Sequence, residues 1–247
     1  MKKIILNHKS YLLYDDILKF KSELNKLKQN KFEIILFPSI QYLSLFKDEK
    51  KYLVGSQNFY SHKCGSFSGE VSLDALKSLG VNYTMISGYE RMKIINEKQE
   101  VSKEKLFLSL SNKFNTLLYI SPINNNCTSF NSIKREINKY LKGIDKYYLN
   151  YLSLVFETYN YDMDISKISK IVKRIKIYIK NKYNKNIEVY YAASNENNIN
   201  SIIKVCDGVV LGKQSTNIEN LKKLIERIEW FLCLVMDVNL VLHLLMY

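Results

Sequence analysis

The sequence predicts an α/β protein, a (β/α)8 barrel of eight parallel strands with outer helices, spanning residues 1–229. Two observations point there. Eight apolar runs of five to seven residues recur along the chain, and an amphipathic run with helical spacing follows each one. Near-continuous apolar strands alternating with helices mean a parallel sheet covered by helices. Eight such units in about 230 residues is the size of a closed barrel. A doubly wound open sheet is the alternative, but it normally carries a glycine-rich first turn, and "NHKSYL" is not one.

The strand-like runs are "KIILN" (3–7), "EIILFPS" (33–39), "YLVGSQN" (52–58), "YTMIS" (83–87), "TLLYIS" (116–121), "YLSLVFE" (151–157), "IEVYYA" (187–192) and "GVVLG" (208–212). They are short, β-branched and aromatic, and bounded by turn residues. The helical patterns lie at 15–30, about 40–48, 72–79, about 90–97 with 102–114, 129–142, 164–184, 197–204 and 217–229. Apolar residues recur there at three- and four-residue intervals. Asp164 precedes the longest pattern and suits an N-cap.

Composition narrows the function. The 247 residues are 47% hydrophobic, enough for a sizeable core, and the net charge is +13. Such charge suits nucleic acid or an anionic substrate. The lysines are spread along helix faces, as in "KISKIVKRIKIYIKNKYNK", so no nucleic-acid partner is expected. Four cysteines without a CxxC pair argue against zinc and against a disulfide framework. Three histidines without an H-x-x-x-H spacing make a metal site unexpected, and no cofactor motif stands out. The apolar part of "MKKIILNHKS" is too short for a signal peptide, so the expected location is the cytoplasm.

In such barrels the active site sits where the strands end. The residues to read are then Asn7, Lys9, Gln57, Asn58, Ser87 to Arg91, Glu157, Ser194, Gly212 and Lys213. A carboxylate leaving one apolar strand, Glu157, and a lysine just after the first strand, Lys9, both at strand ends of one barrel, favour a site there over a cap or a solvated charge.

Read together, these strand ends resemble a known family. "GSQNFYSHKCGSFSGEVSLDALKSLGVNYTMISGYER" (55–91) is similar to the third and fourth units of triosephosphate isomerase, where a G-A-Q-N strand end, a G-A-F-T-G-E loop and a strand ending G-H-S-E-R follow one another. "LNHK" (6–9), "VFE" (155–157), "VYYAAS" (189–194) and "DGVVLGKQS" (207–215) resemble its other strand ends in the right order, over about residues 3–229. The resemblance implies a TIM barrel that moves a proton between adjacent carbons of a small phosphorylated triose. It implies Glu157 as the base, Lys9 as the electrostatic group beside Asn7, and Glu90 with Arg91 in the turn that follows the fourth strand. It further implies Ser194 and Gly212, with Lys213 at the neighbouring position, around the phosphate, and a homodimer through loop 65–70. Family enzymes use a glutamate base, a neutral histidine that polarises the carbonyl, and a closing loop; this family is a standard illustration of such tuning.

The departures fall at the same places. Gly88 occupies the histidine position and Tyr89 the place of a small serine. Loss of a preorganised donor costs about 3–4 kcal/mol, or about a hundred- to a thousandfold in rate. Activity lost in Glu157→Gln and raised in Gly88→His would mark an inherited but crippled site, and no response in either a defunct one; the Tyr89 hydroxyl is the alternative donor. In the expected lid, 158–166, Thr158 replaces a proline, Met163 falls near a tip glycine, and Asp162 and Asp164 would approach a phosphate. Ala192, Ala193 and Lys213 replace further glycines; Lys213 either adds a cation or fills the space of the phosphate. Two readings stay open: a divergent, impaired isomerase, and a non-catalytic barrel that binds a phosphorylated metabolite or serves as a scaffold.

Residues 230–247, "WFLCLVMDVNLVLHLLMY", form an apolar tail without Lys, Arg, Glu or Ile. A membrane anchor, a helix packed on a partner and an out-of-frame extension all fit it. An anchor would carry Asp237 near its centre, at a cost of roughly 3 kcal/mol.

Overall fold

The computed structural model describes residues 1–27, 32–120, 129–158, 163–193 and 198–230. The tail from 231, Ser194, Asp162 and the middle of the expected lid lie outside the described residues.

Eight parallel strands close on themselves in chain order. They are β1 Lys2–Asn7, β2 Phe32–Phe37, β3 Leu53–Ser56, β4 Tyr83–Ile86, β5 Asn115–Ile120, β6 Leu152–Glu157, β7 Val189–Ala193 and β8 Gly208–Leu211. Closure is made by β1 against β8, with Lys3 opposite Gly208 and Leu6 opposite Leu211. The helices are α1 Tyr14–Leu24, α2 Leu73–Ser78, α3 Gln99–Ser111, α4 Phe130–Leu141, α5 Ile165–Tyr183, α6 Ile199–Val205 and α7 over 218–230. A 3₁₀ turn, Ile40–Phe46, stands where a second helix would follow β2.

Strand alternation sorts the core into two layers. Ile5, Ile35, Phe37, Met85, Leu117, Tyr119, Val155, Tyr190 and Val210 fill the barrel. The alternate residues, such as Ile4, Leu6, Ile34, Leu118, Leu154 and Phe156, pack outward against the helices. Each buried Leu or Ile contributes about 1.5–3 kcal/mol. The lower end of the barrel is polar: Lys3 Nζ lies 2.6 Å from Glu188 Oε2, which also accepts the Tyr190 hydroxyl at 2.5 Å.

Several helices begin on side-chain caps. Ser72 accepts from the Ala75 N–H, Ser129 from Ser132 and Asp164 from Ser166. Asp164 is thus committed to the start of α5, and its hydrogen bonds hold its carboxyl below the usual range.

Several boundaries differ from expectation. The pattern at 15–30 yields a helix only to Leu24. The pattern at about 90–97 gives a single π turn, Glu90–Ile94, closed by Ile95 N–H to the Glu90 carbonyl at 3.0 Å. The third strand stops at Ser56, because Gln57 turns to bond the carbonyls of Lys9 and Phe37, each at 2.9 Å. Met163 is not a lid tip: it is 6% exposed, within the apolar core beside α5.

Candidate active site

The site is built from the loop after β1. Lys9 has φ 49, a left-handed backbone that costs a non-glycine residue energy. Its neighbours hold it there. Its N–H donates to Asn7 Oδ1 at 3.1 Å, and its carbonyl accepts from Ser39 Oγ at 2.6 Å and from Gln57 Nε2 at 2.9 Å. This backbone turns the lysine over the mouth of the barrel, where its ammonium pairs with Glu90 Oε1. Burial opposes the charge on Lys9. The Glu90 hydrogen bond and charge outweigh that, with Tyr11 and Glu157 adding to them, so its pKa lies above the ordinary value.

The turn after β4 supplies the next groups. Ser87 has φ 66 and Gly88 φ 101, two consecutive left-handed residues. The Ser87 hydroxyl is 2.9 Å from that of Tyr140, and the Gly88 carbonyl accepts from Met92 N–H at 3.0 Å. The reversal points the Tyr89 N–H at Glu157, whose Oε2 accepts it at 3.1 Å. Glu157 ends β6 in register with Ala192 of β7. The structure therefore gathers Asn7, Lys9, Glu90 and Glu157, from three different strand ends, at one end of the barrel.

Gly212 closes the far side. A Cβ there would lie 3.9 Å from Lys9 Nζ, so the strand end and the ammonium are neighbours. Lys213 opens a 3₁₀ turn, Lys213–Ser215, and its side chain is exposed. Beneath this turn lies His8, 1% exposed, edge-on to Phe20 of α1 with ring centroids 4.4 Å apart. Neither imidazole nitrogen has a well-formed hydrogen bond among the described residues. Burial lowers its pKa from 6.5 to about 4, and the nearby Ser215 backbone offsets this only in part.

Arg91 turns away from this mouth. Its guanidinium binds Glu97 (Nε to Oε2, 2.9 Å), which also takes Lys105 Nζ at 2.7 Å and the Ser102 hydroxyl at 2.6 Å. Lys105, 3% exposed, donates further to Asn58 Oδ1 at 2.9 Å and so ties α3 to the end of β3. Nothing in sequence spacing singles out Glu97 as the hub. The lysine was detectable, since it sits on the core-facing side of a helix. Among the described residues no group of three or more His, Cys, Asp or Glu side chains could hold a metal ion. Nor is any described helix long and apolar enough to cross a membrane.

The family profile described as Triosephosphate isomerase matches residues 2–228. The chain belongs to the triosephosphate isomerase family. A triosephosphate isomerase of Wigglesworthia glossinidia brevipalpis is 31% identical over 245 residues, covering 91% of this chain and 93% of that protein. Those of Lawsonia intracellularis and Mycoplasma genitalium are 27% and 29% identical, covering 78% and 79% of this chain and 83% and 85% of theirs.

Within this triosephosphate isomerase family fold, Gly88 is neighboured by a buried aromatic ring. A Cβ at 88 would lie 3.6 Å from the ring of Tyr119, an inward residue of β5 that strand-end reading passes over. The φ of 101 bears directly on a histidine at 88, since a side chain there must adopt a backbone that L-residues avoid, with its first atom in contact with the Tyr119 ring.

Proposed function

We propose that this chain is an aldose–ketose isomerase that interconverts dihydroxyacetone phosphate and glyceraldehyde 3-phosphate. The observation that carries the reading is the convergence of Lys9, Glu90 and Glu157 on one barrel mouth, with Lys9 held in a left-handed backbone by Asn7, Ser39 and Gln57. Held strain of this kind is characteristic of functional positions.

Glu157 takes a proton from one substrate carbon and returns it to the next. The Tyr89 N–H orients its carboxylate from a backbone donor, which does not depend on the Tyr89 side-chain rotamer. Lys9 attracts the dianionic substrate and opposes the negative charge that develops on the substrate oxygens. Glu90 fixes the lysine and keeps it charged. Gly212, next to the ammonium, leaves room for the phosphate; Ser194, outside the described residues, is the phosphate-binding serine that the family resemblance implies. Gly88 offers no side-chain donor, so turnover about a hundred- to a thousandfold below an unimpaired site is expected if no other donor acts. The enzyme works in the cytoplasm as a homodimer joined through loop 65–70, whose residues are all exposed.

The second reading, a non-catalytic phosphometabolite-binding or scaffold barrel, is favoured by Gly88 alone. A coupled isomerase assay on purified wild type and Glu157→Gln separates the two. Turnover in the wild type, reduced about a thousandfold or more in Glu157→Gln, is the expected outcome. Background turnover in both selects the non-catalytic barrel.

A further inference from the structure

Tyr119 stands inside the barrel on β5, 6% exposed, its ring against Gly88. It is the inward residue one step beyond Leu117, and it pairs with Val155, two residues before Glu157. Its hydroxyl donates to Met85 Sδ at 3.6 Å, a thioether and hence a weak acceptor. The Asn7 side chain acts on the same hydroxyl, as do the charges of Glu157 and Glu90. The phenol oxygen therefore shares the floor of the mouth with the groups gathered above it. The phenol oxygen interacts with the Asn7 side chain, while its own O–H is donated to a thioether, a weak acceptor that a carbonyl oxygen would improve on.

We propose that the Tyr119 hydroxyl is the catalytic hydrogen-bond donor to the substrate carbonyl, supplied from β5 in place of a side chain that Gly88 cannot provide. This rests on the isomerase reading above. As Glu157 removes the carbon-bound proton, the C–H electron pair forms the carbon–carbon double bond and the carbonyl electrons move onto oxygen. The Tyr119 O–H donates to that oxygen without giving up its proton. Glu157 returns its proton to the neighbouring carbon. The substrate's hydroxyl proton passes from one substrate oxygen to the other, so Tyr119 ends as it began.

Burial holds the phenol well above its ordinary pKa, the carboxylates of Glu157 and Glu90 push the same way, and Asn7 opposes them. The group is therefore a neutral donor throughout the working range, as a carbonyl-polarising group should be. The alternative donor, the Tyr89 hydroxyl, leaves from a residue whose N–H is already directed at Glu157.

The test is Tyr119→Phe, which keeps the ring and removes the hydroxyl. The expected result is a fall in kcat of roughly a hundredfold with KM changed by less than about threefold, at an unaltered melting temperature. Binding of phosphoglycolate, a phosphorylated carboxylate that imitates the charge on the intermediate, should weaken by about tenfold or more. If Tyr119→Phe does not fold, fluorotyrosine placed at 119 changes the acidity of the phenol at nearly constant shape. A kcat that moves with that acidity supports the donor, and a packing residue would leave kcat alone. A wild type that turns over while Tyr119→Phe and the fluorotyrosine protein keep its kcat overturns this proposal and spares the isomerase reading. So does a loss confined to Tyr89→Phe. A wild type without turnover overturns both.

Discussion

Gly88 is where the residue scale matters most, because two independent constraints meet on one atom. Its φ of 101 excludes an L-residue at ordinary cost, and the missing Cβ would touch the ring of Tyr119. Gly88→His therefore should not repair the site. The backbone strain alone is on the order of 1–3 kcal/mol. An imidazole beyond that Cβ would have to find room beside the Tyr119 ring as well. The expected outcome is a lower unfolding free energy in urea and a kcat at or below wild type. A stable Gly88→His protein with raised kcat would show that the turn can relax and that the glycine is a simple deletion of function. The contrast with Lys9 is instructive. There a left-handed residue keeps its side chain, because three hydrogen bonds from Asn7, Ser39 and Gln57 hold the backbone in place.

At the scale of elements, the strands were legible because their apolar runs are short and bounded, and so were the long helices with a clean stripe such as α5. What could not be read has physical causes. The turn after β4 makes an i→i+5 closure, which leaves no distinct apolar period. Met163 reads as a loop residue by its polar neighbours, yet tertiary packing buries it. Glu157, Lys9 and Glu90 could be proposed from the sequence because they lie at or shortly after strand ends, whereas Tyr119 lies one layer deeper and looks like core. His8 belongs to the same class, an interior residue between two candidate positions. It packs between β1 and α1, and its neutral form is the one that fits.

That packing has a pH signature. In the unfolded chain His8 binds a proton near pH 6.5, whereas in the folded barrel it does so only near 4. Between those values the unfolded state carries a proton that the folded state refuses, so stability is complete above 6.5 and falls as the pH drops towards 4. The total loss is about 3 kcal/mol. Glu97 and Asp164, whose pKa values are lowered in the fold, also lose stabilisation in acid, so the wild type alone does not isolate the histidine. His8→Phe keeps the ring contact with Phe20 and removes the titration. Urea unfolding at a series of pH values should show the wild type losing about 3 kcal/mol more than His8→Phe between neutral pH and 4. Parallel curves would mean that the imidazole is hydrated or paired.

For the whole molecule, shape and charge pull in opposite directions. Loop 65–70 stands out from the barrel with Phe67 37% exposed, stacked on Tyr60 and His62 at centroid distances of 4.8 and 5.4 Å. An aromatic cluster held on a projecting loop is suited to a pocket on a second copy. Each copy carries a formal charge of +13, so two barrels repel before that loop can engage. Most of the described lysines are exposed, where salt screens them effectively, while burial of Phe67 is hardly affected by salt. The proposed homodimer should therefore tighten as ionic strength rises, the reverse of an association driven by opposite charges. Raising ionic strength from about 0.01 to about 0.15 M shortens the screening length from about 30 to about 8 Å, which is less than the width of one barrel. Sedimentation equilibrium at those two conditions should show a lower dissociation constant at the higher one. Phe67→Asp should weaken association by roughly tenfold or more at both, equivalent to ~1.4 kcal/mol. The salt dependence should persist in that variant, because it belongs to the molecular charge and not to the loop. Dimerisation that weakens with salt, or that ignores Phe67→Asp, would place the contact on another face of the barrel.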